Sequence, residues 1–202
     1  MCWSVLRSSG LASSRGLALG DASLARERLR ALTAVEPTSA DAWHALGCAA
    51  AELEDEDEMR TAWRRTWTLD AAPGKDGADR GHRLTDAEIA SVAEAALEEL
   101  PPRAQELLRD VPIVIAELPA ESDVDNGLDP RALGLFSGTG HADPTHLGGQ
   151  PGLTQILLFR RNLERIAAGT EELREEVRMT LIHETGHFFG LDDAALDELG
   201  LG

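Results

Sequence analysis

The stretch His183-Glu184-Thr185-Gly186-His187 constrains this chain more than any other. An α-helix advances about 100° per residue, so positions four apart return to within about 40° of each other and the two imidazoles leave the same face. Two such nitrogens can share one metal ion, with the Glu184 carboxylate beside them. In this H-E-x-x-H arrangement the imidazoles bind zinc and the glutamate acts as general base on a water. The segment is therefore expected to be a helix with one face open to a cleft. The competing reading is an amphipathic helix whose histidines are ordinary surface or core residues.

The residues that follow favour the metal. Gly190 stands three positions after His187, where a helix can end in a left-handed residue that glycine adopts without strain. Asp193 comes ten positions after His183, where sites of the H-E-x-x-H-x-x-G-x-x-H type carry their third ligand, and a carboxylate oxygen binds zinc at much the same length as an imidazole. The expected site is His183, His187 and Asp193 as ligands of Zn²⁺ and Glu184 as base. Two imidazoles and one carboxylate also suit Fe(II).

Composition narrows the partners. The formal net charge is −17 over 202 residues, so there is no basic surface to neutralise a run of phosphates, and neither nucleic acid nor an anionic membrane is an expected partner. No stretch reaches the roughly 18 apolar residues of a membrane span, and no apolar run of signal-peptide length follows Arg7, so the reading is cytoplasmic. The two cysteines, Cys2 and Cys48, have no ligand-type spacing and indicate neither a disulfide framework nor a cysteine metal site.

Residues 1–73 read as all-helical. Leu24, Ala25, Leu29, Leu32 and Val35 recur at helical spacing up to Pro37; Trp43, Leu46, Gly47, Ala50 and Leu53 mark a second helix; a third runs from about Met59 to Leu69. The acidic run Glu54 to Glu58 reads as a solvated turn between them. Trp43-x-x-Leu46-Gly47, followed by Trp63 and Asp70, resembles the tetratricopeptide repeat, with Trp3-x-x-Leu6 as a possible earlier opening. Ala50 in place of an aromatic and Ala71 in place of the closing proline depart from that pattern. The resemblance implies a protein partner or substrate held by these helices; the plainer alternative is a helical layer that only packs.

Residues 74–83 are rich in glycine and charge and read as a linker. Residues 84–202 then form the second domain. Thr85 with Glu88 makes a capping box, and Ile89, Val92, Ala93, Ala96, Leu97 and Leu100 form one apolar stripe up to Pro101-Pro102, where a short helix with Leu107 and Leu108 starts. Val111 to Glu117, Leu133 to Ser137 and Thr154 to Arg160 read as strands, and Pro119 to Arg131 as a loop. Gly138 to Gly152 reads as a lid-like loop carrying His141 and His146. Thr170 is the expected N-cap of the last helix, with Leu173, Val177, Leu181 and Phe188 on one flank and Ile182 with Phe189 on the other.

From about Thr85 onward the chain resembles the minimal zincin-like metallopeptidases. The match is carried by Leu133 to Gly138, Ile156 to Arg160, Glu172 to Arg178, and His183 through Gly200. The resemblance implies a zincin-like α+β fold of helices and a small sheet, preceded here by the all-α region. It also implies hydrolysis of a peptide or protein substrate by a metal-activated water. Nine residues follow Asp193, too few for the Met-turn of the metzincins. The chain contains no Tyr, so a second group to stabilise the oxyanion would come from His141, His146 or Arg160. The alternative is a non-catalytic peptide-binding adaptor that uses its N-terminal helices and retains a structural or vestigial metal site. Glu184 weighs against it, because a purely structural site has no use for a general base.

Overall fold

The computed structural model describes residues 19–73, 83–138 and 154–191. Among them the elements are α1 (Leu19–Val35), α2 (Ala40–Glu52), α3 (Glu56–Asp70), α4 (Asp86–Glu98), α5 (Pro102–Leu108), β1 (Ile113–Ala116), α6 (Glu121–Asp125), β2 (Gly134–Ser137), β3 (Gln155–Phe159), α7 (Arg160–Ile166) and α8 (Thr170–Phe188). The fold is α+β. No described helix is long and apolar enough to cross a membrane.

Contacts divide the chain into two units, Met1–Asp76 with Leu118–Ala132, and Gly77–Glu117 with Leu133–Gly202. In the first, α1, α2 and α3 pack in succession. Ser39 caps α2 by accepting from the Ala42 N–H, and Asp55 caps α3 by accepting from the Glu58 N–H. The acidic run read as a turn is a turn only at its start, where Glu54 has φ +58°, and then opens a helix: Asp55 satisfies an open N–H, and Glu56, Asp57 and Glu58 complement the positive end of the helix dipole. Leu46, Ala50, Ala62 and Trp63 are buried between α2 and α3. The Trp3-x-x-Leu6 stretch and the 74–82 part of the linker lie outside the described residues.

The segment read as a loop from Pro119 to Arg131 contains α6, which packs against α3. Its polar groups are paired far along the chain. The buried His44 Nε2 lies 2.8 Å from Asp129 Oδ1, which also accepts from the Arg131 N–H at 2.8 Å. The Arg131 guanidinium donates to the buried Asp70 and reaches Asp41, Arg64 pairs with Asp125, and the Trp67 indole N–H donates to the Pro119 carbonyl at 2.9 Å. Partners 52 or more residues away leave no local sequence signal, which is why this stretch reads as loop.

In the second unit the sheet order is β1-β3-β2, with β1 parallel and β2 antiparallel to β3. The central strand supplies the fully buried Leu158 and Phe159, and Ile156 is 1% exposed. The Thr85–Glu88 capping box forms as the sequence indicates, Pro102 opens α5, and the three expected strands are present. β3 stops at Phe159, and Arg160 begins α7, a helix the sequence reading did not include. α8 packs on α4, α7 and the sheet, with Leu173, Val177 and Leu181 at zero exposure. Its N-cap is Gly169 rather than Thr170, and Glu172 closes the first turn by accepting from the Ala168 N–H.

Candidate metal centre

The last two turns of α8 carry the histidines, and here the helix is buried on nearly every side: His183, Glu184 and Thr185 are each less than a tenth exposed. A helix apolar on both flanks of a polar stripe has to be enclosed by other elements, leaving only the stripe for a cleft. His183 and His187 leave the same face. Their Nε2 atoms lie 3.0 Å apart, and the rings meet edge to face with centroids 4.6 Å apart. Two ligand atoms each about 2.0–2.1 Å from one tetrahedral zinc ion stand about 3.3 Å apart, so the pair needs to open by only a few tenths of an ångström.

The turn after α8 fixes one of those rings. Gly190 has φ +79°. The Leu191 N–H returns to the Gly186 carbonyl and the Gly190 N–H to the His187 carbonyl, each at 3.0 Å, which is the Schellman pattern that a left-handed glycine closes. This reversal brings the Leu191 carbonyl oxygen to 3.0 Å from His187 Nδ1. A carbonyl only accepts, so Nδ1 carries the proton and Nε2 of the neutral ring keeps its lone pair. That is the tautomer a metal ligand requires, held by the kind of outer hydrogen bond that orients such ligands.

Glu184 is anchored from the sheet. Its Oε2 accepts from the Phe136 main-chain N–H on β2 at 2.7 Å. Gly134, two residues earlier, faces the same helix, and a Cβ there would meet Thr180 Cγ2 at 2.8 Å and Glu184 Cγ at 3.0 Å. Phe136 and Phe188 pack edge to face at 5.5 Å, joining strand and helix beside the carboxylate. Sequence reasoning singled out neither Gly134 nor the Phe136 amide as part of the site. The one available signal was a glycine inside a strand, which marks a place where another group comes close.

Of the other residues the sequence nominates, Asp193, His141 and His146 lie outside the described residues. Arg160 is described, and its guanidinium engages the carboxylates of Glu117 and Asp86. A separate group of metal-type side chains occurs in the first unit, where His44, Cys48 and Asp129 bring ligand atoms within 4.8 Å of one another. Cys48 is disulfide-bonded, contrary to the reading of the cysteines from sequence, so its sulfur is not available as a thiolate.

The donor set on α8, two imidazoles with one tautomer fixed and a carboxylate alongside, fits zinc. No curated protein matches the chain. A family model described as zincin-like metallopeptidase matches residues 108–202, the stretch that runs from the end of α5 through the sheet to both histidines, and this C-terminal part of the chain is similar to that family.

Proposed function

We propose that the chain is a zinc-dependent peptidase in which His183, His187 and Asp193 hold the metal and Glu184 is the general base. The observation that carries this reading is the convergence of the two Nε2 atoms at 3.0 Å beside a carboxylate held at 2.7 Å by a main-chain N–H. When bound, zinc supplies a Lewis acid that lowers the pKa of water towards 7 and polarises a carbonyl oxygen. His183 and His187 contribute their Nε2 lone pairs, and the Leu191 carbonyl keeps the His187 ring in register. Glu184 takes a proton from the attacking water as its oxygen bonds to the peptide carbonyl carbon. The same carboxyl then gives that proton to the amine nitrogen as the C–N bond breaks.

The substrate in this reading is a peptide or protein, and the tetratricopeptide-like helices recruit it or a partner. A cytoplasmic location belongs to the same proposal. The test is Glu184→Gln in zinc-loaded protein. Hydrolysis of a peptide library should fall by about 10² to 10⁴-fold while zinc per chain stays at the wild-type level. Wild-type protein that binds zinc and cleaves no peptide would instead favour the adaptor reading.

A further inference from the structure

We propose that the main-chain N–H of Phe136 is a positioning donor for Glu184, and that Gly134 is the residue that lets β2 come close enough to provide it. The inference rests on the reading of Glu184 as base. It starts from the pairing of β2 with β3. Gly134 stands opposite Leu158 and Phe136 opposite Ile156, and the Phe159 N–H donates to the Leu133 carbonyl at 2.8 Å. In an antiparallel pair, residues that exchange ladder hydrogen bonds alternate with residues that do not. Leu133, Leu135 and Ser137 therefore turn their amides to β3, whereas Gly134 and Phe136 turn theirs to the outer edge.

An outward amide on an edge strand is normally open to water or to an incoming strand. Phe136 instead gives its proton to Glu184 Oε2 at 2.7 Å, a length typical of a bond to a charged acceptor. Glu184 is only 8% exposed, and a hydrogen bond is stronger in such surroundings than in water. One oxygen of Glu184 is thus tied to the sheet, which sets the direction in which the other presents itself. Catalysis depends on such alignment more steeply than binding does.

Gly134 makes the arrangement sterically possible. A Cβ at this position would lie 2.8 Å from Thr180 Cγ2, 3.0 Å from Glu184 Cγ and 3.0 Å from the Leu157 carbonyl oxygen. The last of these is backbone of the central strand and cannot give way. Any side chain at 134 would lift β2 off α8 or turn Glu184, and in either case the Phe136 bond lengthens.

The experiment compares Phe136→Pro with Phe136→Ala in the full zinc-loaded chain. Both lose the ring contact with Phe188; only proline also removes the N–H. Proline costs no ladder bond here because that N–H points away from β3. The expected result is a kcat for the proline variant about tenfold or more below that of the alanine variant, with KM and zinc per chain equal in the two. Equal kcat values would overturn the proposal, as would a loss of zinc or a change in KM confined to the proline variant. A second arm needs no activity: in Glu184→Ala, amide exchange at Phe136 should accelerate about tenfold or more while exchange at Leu135 and Ser137 holds. Unchanged exchange at Phe136 overturns the proposal even if the proline variant fails to fold. If wild-type protein hydrolyses no peptide, the reading of Glu184 as base fails on its own, and the exchange arm still decides whether the amide holds the carboxylate.

Discussion

His187 Nδ1 lies 3.0 Å from the main-chain oxygen of Leu191, a residue beyond the end of its own helix. The bond exists because Gly190 reverses the chain at φ +79° and lays the following peptide back over the last turn. A single non-polar position therefore governs how a metal-type imidazole is aimed.

Replacing Gly190 by alanine tests that dependence. A residue with a Cβ pays about 1–2 kcal/mol in the left-handed region, so the turn should loosen and the Leu191 carbonyl should withdraw from the ring. Zinc affinity should fall about tenfold, the lower end of what loss of an outer ligand-orienting bond costs. Competition with a chromogenic chelator measures it. An affinity equal to wild type would show that the turn does not orient His187.

At the start of α4, Glu88 accepts from the Thr85 main-chain N–H and hydroxyl, and these bonds hold its carboxyl below the ordinary value of 4.5. A carboxyl whose pKa is lowered by folding contributes stability that is present above the unfolded value and disappears as pH falls through the folded one. Wild type should therefore exceed Glu88→Gln in stability by a constant margin at neutral pH. That margin should narrow only below about pH 4.5. Urea midpoints of both proteins across the acid range check this, and a margin that widened with acid would contradict the assignment.

In the first unit, a Cβ on Gly47 would fall inside the van der Waals envelope of Cδ1 and Nε1 of Trp63, a residue only 4% exposed. Gly47→Ala should destabilise this unit by about 1–3 kcal/mol through overpacking, despite the roughly 1 kcal/mol that alanine gains over glycine inside a helix. Chemical denaturation followed by tryptophan fluorescence reports the loss. A rise in stability would mean that the indole has room to move.

What the sequence discloses is whatever repeats at short range. The i, i+4 histidines, the Thr85–Glu88 box, the αL glycine at 190 and the β-branched run around Ile113 to Ile115 each encode their element within a few residues, and each element is present. Interactions that join distant parts of the chain leave no such trace. The Phe136 amide carries no side-chain signature at all, and its acceptor lies 48 residues on. Arg131 reads as one more loop charge until Asp70 and Asp41 are beside it. The Glu54 to Glu58 run misleads for a different reason: an acidic cluster suits both an exposed turn and a helix start, and only the cap at Asp55 separates them. Asp193, the third member of the expected metal set, lies outside the described residues, so its role stands on spacing alone.

Because residues Leu118–Ala132 belong with the N-terminal helices while their flanking strands belong to the sheet, neither unit is a continuous piece of chain. No single proteolytic cut or truncation point can release one intact. A fragment begun at residue 84 would carry Asp129 without His44 and Arg131 without Asp70, stranding polar groups that the whole chain satisfies. Residues 118–132 thus find their polar partners only when the N-terminal helices are carried on the same chain.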